Sequence, residues 1–147
     1  MVSKSTVPAI RQQKRSHDSK PIVMVTAYDA PGARMVDEAG VDMILVGDSL
    51  AMVVLGYEDT LQVTVDDIAH HTAAVARTKP SALVVADLPW LSYHISVAET
   101  VSNAAKLIRA GANAVKLEGG RNRIPMIEAL LSAEIPVMGH IGLTPQS

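Results

Sequence analysis

Three short apolar runs in this chain each end in a carboxylate, and the three acids together form a candidate site for a hard metal ion. The acids are Asp48, Asp87 and Glu118. Each run has four or five mostly aliphatic residues followed by turn residues, which is the pattern of a buried parallel strand. Mg²⁺ binds a few carboxylates, several waters and oxygens of the substrate. The pattern therefore predicts Asp48, Asp87 and Glu118 as metal ligands.

A carboxylate that follows a strand is often only the N-cap of the next helix. The spacing argues against that alternative, because the next predicted helix begins sixteen residues after Asp48, and the one after Asp87 begins nine residues later. Two glycines follow Glu118. Asp42 and Asn113, in contrast, lie in turns at the opposite end of the predicted sheet, and we interpret them as structural.

Two basic side chains lie close to these acids in the sequence. Lys116 is two residues before Glu118, so both side chains point to the same face of the strand. Because a buried lysine is costly unless paired, an ion pair with Glu118 and contact with an anionic substrate are both open. His140 is a candidate metal ligand, proton carrier or hydrogen-bond donor to a carboxylate. His70 and His71 lie within a helix, and we interpret them as structural.

The elements that must position these residues alternate between strand and helix from residue 21 onward. Helix starts are indicated by cap residues and helix ends by glycine or proline. The predicted strands cover residues 21–26, 43–46, 82–86, 114–117 and 136–140. The predicted helices cover residues 29–40, 64–79, 96–111 and 124–133.

An internal repeat supports this order of elements. Residues 38–46 resemble residues 109–117, and both segments read as a helix end, a glycine and the next strand. Right-handed crossovers place the C-terminal ends of all parallel strands on one side of a sheet. We therefore expect the three acids and His140 to share one rim.

Repeated βα units fit either a doubly wound sheet or a (β/α)₈ TIM barrel. We favour the barrel, because no Gly-x-Gly-x-x-Gly motif follows the first strand and the candidate ligands project from several strands. A complete barrel needs about 250 residues, and this chain has 147. The prediction is an α/β chain with about five parallel strands and four helices in residues 21–147, forming the first part of a barrel whose C-terminal part is absent.

Composition and charge exclude several classes of protein. The chain is 48% hydrophobic and 19% charged, and it has no cysteine for disulfides, a thiolate nucleophile or a Cys-based zinc site. Its longest apolar stretches have five or six residues, far fewer than the roughly 20 that span a bilayer, so we expect no membrane segment.

The charge of the chain is uneven only at its N-terminus. Residues 1–20 carry a net charge of +4, against −6 for the rest. We predict a basic N-terminal arm or a short capping helix over residues 7–13. Nucleic-acid binding is not expected, because it needs a larger basic surface with stacking aromatics. The absence of cysteine fits a reducing compartment, and a transit peptide in residues 1–20 would instead direct the protein to mitochondria.

An ordered set of motifs resembles the ketopantoate hydroxymethyltransferase family. The matching runs extend from about residue 21 to residue 147, at residues 46–50, 63–64, 71–75, 86–89, 109–112, 115–120 and 139–147. The resemblance implies a (β/α)₈ barrel enzyme of pantothenate biosynthesis. Such enzymes transfer a hydroxymethyl group from 5,10-methylenetetrahydrofolate to 3-methyl-2-oxobutanoate and form 2-dehydropantoate. Homo-oligomers and a cytoplasmic location are common in this family.

The resemblance also implies roles for individual residues. Asp48 and Asp87 would ligate Mg²⁺, and Glu118 would complete the metal environment directly or through water. Ser49 and Lys116 would hold the keto-acid carboxylate. The implied substrate contacts are Asp48, Ser49, Asp87, Lys116 and His140. The general-base glutamate of the family is expected in the missing C-terminal half, so the chain has no candidate for it.

Two other functions stay open from the sequence. The first is a non-catalytic half-barrel that acts as a binding or interaction module. The second is a related metal-dependent barrel enzyme that acts on another keto acid or on a phosphoenolpyruvate-like substrate.

Overall fold

Five parallel strands form one sheet in the order of the sequence. The computed structural model describes residues 4–15 and 20–146. A sheet whose strands are adjacent in sequence order fits a TIM barrel, whereas a doubly wound sheet reverses its order near the middle. The prediction of a partial barrel in the α/β class is therefore confirmed. The strands are β1 (Met24–Thr26), β2 (Met43–Val46), β3 (Leu83–Asp87), β4 (Ala114–Glu118) and β5 (Val137–His140).

The helices that connect the strands cover one face of the sheet, and an N-terminal helix packs against the other face. The four predicted connecting helices are present, and a helix also covers residues 7–13, which were predicted as a capping helix. A 3₁₀ turn, Arg121–Arg123, precedes the last helix. The helices are α1 (Val7–Arg15), α2 (Ala30–Glu38), α3 (Leu50–Val53), α4 (Val65–Ala76), α5 (Val97–Arg109) and α6 (Ile124–Ser132).

The expectation that no helix follows Asp48 for sixteen residues is wrong, because α3 begins at Leu50. Its N-cap is Ser49, whose side chain makes no capping hydrogen bond. A helix of four residues is barely one turn long, so it leaves no periodic pattern in the sequence. Asp48 is therefore not the capping residue of α3, and its carboxylate makes its hydrogen bond in the candidate site described below.

Cap residues start the longer helices as the sequence predicts. The Thr64 hydroxyl accepts a hydrogen bond from the Asp67 N–H at 3.2 Å, and the Asp67 carboxylate accepts one from the Thr64 N–H at 2.9 Å. This reciprocal capping box fixes the start of α4. The Ser96 hydroxyl accepts from the Glu99 N–H at 3.1 Å and starts α5. In the described residues, no helix is long and apolar enough to cross a membrane.

Alternate residues of each strand point to opposite faces of the sheet. On the helix face, Ile44, Val84 and Val115 belong to the main buried cluster with side chains of the helices. The opposite face, here called the inner face, carries a second cluster that includes Leu83 and Val85 and packs against side chains of α1. Because the side chains alternate, the last inner positions of β3 and β4 carry the charged residues of the candidate site.

The repeat found in the sequence is also a structural repeat. The Asp42 carboxylate accepts a hydrogen bond from the Val23 N–H at 2.8 Å, and the Asn113 side-chain oxygen accepts one from the Val84 N–H at 3.0 Å. Both side chains thus hold the neighbouring strand at the end opposite to the candidate site. The prediction that these two residues are structural is consistent with these contacts.

The glycines of the repeat, Gly40 and Gly111, provide a matched test of packing. Both have positive φ, +80° and +111°, so an alanine at either position costs about 1 kcal/mol of conformational strain. A Cβ at residue 111 would also collide with the Cβ of Ala76. A Cβ at residue 40 would meet no atom within 4 Å apart from those of its chain neighbours. We expect Gly111→Ala to lower the free energy of unfolding by about 2–4 kcal/mol and Gly40→Ala by about 1 kcal/mol. Urea denaturation measures both, and equal losses would contradict this packing.

Candidate metal and substrate site

The register of the sheet brings the acidic and basic residues of the site together in pairs. Asp87 of β3 lies opposite Lys116 of β4, and Glu118 of β4 lies opposite His140 of β5. The Lys116 Nζ is 2.7 Å from the Asp87 Oδ1. The His140 Nδ1 is 3.3 Å from the Glu118 Oε1. Two cross-strand pairs therefore line the C-terminal end of the inner face.

The alternative in which Lys116 pairs with Glu118 is wrong, because the lysine pairs with Asp87. Lys116 and Glu118 do share the inner face, but positions two apart on a strand are separated by about 6.6 Å. Directly opposite positions on neighbouring strands are only about 4.8 Å apart. Of the three alternatives for His140, the structure shows contact with a carboxylate.

Asp48 lies in the loop that follows β2, and this loop contacts the side chain of Asp87, the last residue of β3. The Asp48 N–H donates to the Asp87 Oδ2 at 3.0 Å, so its loop is tied directly to the other candidate ligand. A Cβ on Gly47 would lie 3.4 Å from the Asp87 Oδ2 and 3.0 Å from the Ser49 Oγ. The small residue before Asp48 therefore leaves room for both side chains.

The Ser49 side chain contacts Tyr28, which lies in the loop between β1 and α2. Its Oγ is 2.9 Å from the Tyr28 hydroxyl. The His71 Nδ1 lies 2.7 Å from the Tyr28 carbonyl oxygen, and since a carbonyl only accepts, the imidazole must donate. His71 thus fixes the loop that reaches Ser49, in agreement with the structural role we expected for the histidine pair.

Two further residues, Tyr93 and Gln146, join the site, and sequence reasoning assigned neither of them a role. The Gln146 Nε2 donates to the Asp48 Oδ2 at 2.7 Å, and its backbone N–H donates to the Glu118 Oε2 at 3.3 Å. The Tyr93 hydroxyl donates to the Gln146 Oε1 at 2.6 Å. Gln146 lies within a motif of the resemblance, which could have drawn attention to it. Tyr93 lies in a loop and has no such signal.

The buried charges of the site are unbalanced. Asp48, Asp87 and Glu118 are 5%, 2% and 4% exposed, and Lys116, at 8%, carries the one buried ammonium among the residues whose burial the structure describes. Buried carboxylates are costly unless they are paired or bind a cation. Three carboxylates against one ammonium leave an excess of two negative charges, which a divalent cation would balance.

The donor set fits Mg²⁺ through two carboxylates rather than three. Among the described residues, no three His, Cys, Asp or Glu side chains are grouped to hold a metal ion. Mg²⁺ usually keeps several waters and takes only one or two protein carboxylates, and Asp48 and Asp87 adjoin each other. Glu118 is already bound by His140 and Gln146, which fits an indirect role. The metal and substrate roles of all these residues stay predictions.

Burial raises the pKa of the Asp87 carboxyl to about 6, although the nearby Lys116 ammonium opposes this shift. The folded protein therefore holds this proton more tightly than the unfolded chain, whose Asp pKa is about 3.9. Ionisation of Asp87 between pH 4 and pH 6 consequently works against folding.

This shift predicts a pH-dependent contribution to stability. In EDTA, the free energy of unfolding of the wild type relative to Asp87→Asn should fall by about 2 kcal/mol as the pH rises from 4 to 6. Urea denaturation at several pH values measures the difference. A difference that stays constant, or that grows with pH, would show that the Asp87 pKa is not raised.

Solved structures with the same fold define the class of this chain. A crystal structure of 2,3-dimethylmalate lyase, a member of the PEP mutase/isocitrate lyase superfamily, matches with a TM-score of 0.67 and 21% identity. The match covers 92% of this chain and 52% of that one. At this identity the likeness shows the fold alone. The chain thus has the α/β barrel architecture, with its buried charged cluster at the C-terminal ends of the strands.

The chain belongs to the ketopantoate hydroxymethyltransferase family, whose model matches residues 4–147. It is 62% identical over 133 residues to 3-methyl-2-oxobutanoate hydroxymethyltransferase of Ignicoccus hospitalis, covering 90% of this chain and 51% of that protein. It is 57% identical over 146 residues to the protein of the same name from Koribacter versatilis, covering 99% of this chain and 49% of that protein. The chain thus spans about half the length of these curated relatives.

Proposed function

We propose that the protein containing this chain transfers a hydroxymethyl group from 5,10-methylenetetrahydrofolate to 3-methyl-2-oxobutanoate, with Mg²⁺ bound by Asp48 and Asp87. Family membership supports the reaction. The observation that carries the metal proposal is the buried cluster of three carboxylates with a single buried ammonium. In this reaction the methylene carbon and one water become the hydroxymethyl group of 2-dehydropantoate, and tetrahydrofolate leaves.

The residues of this chain would bind the keto acid and balance its charge. When bound, Mg²⁺ would polarise the keto and carboxylate oxygens and stabilise negative charge on the enolate. The Lys116 ammonium would lie close to the substrate carboxylate, and the Ser49 hydroxyl would donate a hydrogen bond to it. His140 would be a further contact, and Glu118 would act on the metal environment through water.

Proton removal from C3 of the substrate requires a base that we assign to the other half of the protein. The resemblance implies a glutamate there. Once the C3 proton has passed to that carboxylate, the enolate carbon attacks the methylene carbon of the folate. The contribution of this chain is therefore to position the keto acid and to stabilise the developing negative charge.

The transferase reaction is favoured over the two alternatives by the degree of identity. Relatives named 3-methyl-2-oxobutanoate hydroxymethyltransferase share 57–62% of the aligned residues, whereas the superfamily of keto-acid enzymes is similar in fold alone. The resemblance is also our support for a homo-oligomer in the cytoplasm. A mitochondrial location is the alternative if residues 1–20 are a transit peptide, and residues 1–3 and 16–19 of that segment lie outside the described structure.

The test is formation of 2-dehydropantoate by the full-length protein, followed by NMR. We expect product from 3-methyl-2-oxobutanoate and 5,10-methylenetetrahydrofolate with Mg²⁺, and none when EDTA replaces the metal or when the folate is omitted. Phosphoenolpyruvate is the competing substrate to include. Conversion of phosphoenolpyruvate without conversion of 3-methyl-2-oxobutanoate would favour the related keto-acid enzyme, and no conversion of either would favour the binding module.

A further inference from the structure

A chain of buried hydrogen bonds connects strand β4 with the carboxylate of Asp48 through Tyr93 and Gln146. We propose that Tyr93 and Gln146 are positioning residues that hold the Asp48 carboxylate, so that its Oδ2 binds Gln146 and its Oδ1 is presented to the cation. This inference rests on the proposed function, because it concerns the geometry of a proposed metal ligand. Tyr93 acts on the carboxylate only through Gln146.

The direction of each hydrogen bond in this series follows from its first donor, the Glu118 N–H. The Glu118 N–H can only donate, so the Tyr93 oxygen accepts from it at 3.1 Å. The Tyr93 hydroxyl proton is then directed to the Gln146 Oε1 at 2.6 Å. This fixes the amide with its Nε2 toward the Asp48 Oδ2 at 2.7 Å and the Leu88 carbonyl oxygen at 3.1 Å.

The opposite orientation of the amide is excluded by its neighbours. A flipped Gln146 would place its oxygen against the Asp48 carboxylate and the Leu88 carbonyl, which both accept hydrogen bonds and donate none. It would also remove the oxygen to which the Tyr93 hydroxyl donates. The Tyr93 hydroxyl, the Asp48 carboxylate and the Leu88 carbonyl therefore all favour the same orientation of the amide.

Burial makes this selection effective. Tyr93 is 1% exposed and Gln146 is 5% exposed, so water cannot readily replace a lost partner. Burial also raises the pKa of the Tyr93 phenol to about 12, which keeps the hydroxyl protonated at neutral pH. Hydrogen-bonding partners of metal ligands typically change metal affinity by about 10–100-fold when they are removed.

The inference is tested by the affinity of the full-length protein for Mn²⁺, the paramagnetic substitute for Mg²⁺, titrated by EPR. The variants are Tyr93→Phe, Gln146→Met and the double variant, all of nearly native volume. Thr100→Val is the matched control, because it removes the part-buried hydrogen bond from a buried threonine hydroxyl to the Ser96 carbonyl (2.8 Å) at the start of α5. Asp48→Asn tests the proposed ligand itself, and circular dichroism checks that each variant is folded.

Each single variant should weaken Mn²⁺ binding about 10-fold, and the double variant should be no weaker than Gln146→Met, because both act through one amide. Thr100→Val should bind as the wild type does. If Asp48→Asn weakens binding while Gln146→Met binds as tightly as the control, the positioning role is overturned and the proposed ligand stands. Additive losses of Mn²⁺ affinity in the double variant would also overturn the proposal, because Tyr93 would then not act through Gln146. If Asp48→Asn binds Mn²⁺ as the wild type does, the proposed metal role of Asp48 fails, and the inference with it.

Discussion

Replacing Lys116 by methionine should lower the free energy of unfolding at pH 9 by about 3–5 kcal/mol, because it leaves the buried Asp87 carboxylate without its partner. The two groups are 2.7 Å apart, and both side chains are at most 10% exposed. Methionine preserves most of the volume of the lysine stem. The loss therefore reports the uncompensated charge, which urea denaturation in EDTA measures.

The pH dependence of this loss identifies its cause. The pKa of Asp87 is about 6 even with the lysine present, so at pH 5 the carboxyl of the variant is neutral and the loss should be smaller. The double variant Lys116→Met/Asp87→Asn should recover most of the stability. A loss that is the same at pH 5 and pH 9 would point to packing rather than to charge.

An exposed ion pair provides the control for this experiment. The Lys106 Nζ is 3.3 Å from the Asp66 Oδ1, and these side chains are 48% and 82% exposed. Solvent screens such a pair, so Lys106→Met should change the free energy of unfolding by no more than about 0.5–1 kcal/mol. Equal losses in the two lysine variants would contradict the burial of the Lys116–Asp87 pair.

Asp87→Asn should lower kcat/KM of the full-length protein by about 1,000-fold, which corresponds to roughly 4 kcal/mol of transition-state stabilisation. The substitution removes one of the two proposed metal ligands. It also leaves the Lys116 ammonium without its counter-ion, so that the lysine repels the incoming cation. Both effects act in the same direction, and the affinity for Mg²⁺ should fall together with the activity.

Asp42→Asn is the matched control, since it makes the same chemical change at the opposite end of the strands. Asp42 accepts one backbone hydrogen bond, and Asn113 accepts the corresponding one in the second copy of the repeat. An asparagine at residue 42 can therefore keep that bond, and activity should stay within about twofold of the wild type, as is usual away from the reacting groups. If both variants lose activity alike, the effect of Asp87→Asn is on folding.

Local patterns predicted the strands and therefore the rim on which the charged residues lie. Apolar runs bounded by turn residues located β2, β3 and β4, and period-two alternation placed Lys116 and Glu118 on one face. The partner of Lys116 could not be predicted in this way, because it depends on the register between β3 and β4. That register is set by the packing of the whole sheet.

The roles of Tyr93 and Gln146 depend on tertiary structure even more strongly. Tyr93 lies in the loop after β3 and Gln146 in the segment after β5, and neither position has a periodic pattern that would predict its contacts. Their meeting with Asp48 joins loops from three different strands. Such contacts arise when the C-terminal ends of the strands gather at one rim, which the sequence predicts only as a general arrangement.

We propose that Asp48 and Asp87 hold the cation that stabilises the enolate of the keto acid. The most direct measurement is exchange of the C3 proton of 3-methyl-2-oxobutanoate for deuterium, followed by ¹H NMR with the full-length protein in D₂O without folate. We predict exchange with Mg²⁺, its loss in EDTA, its return when Mg²⁺ is restored, and none with Asp87→Asn or Asp48→Asn. Equal exchange rates in EDTA and Mg²⁺, or undiminished exchange in either variant, would contradict the claim.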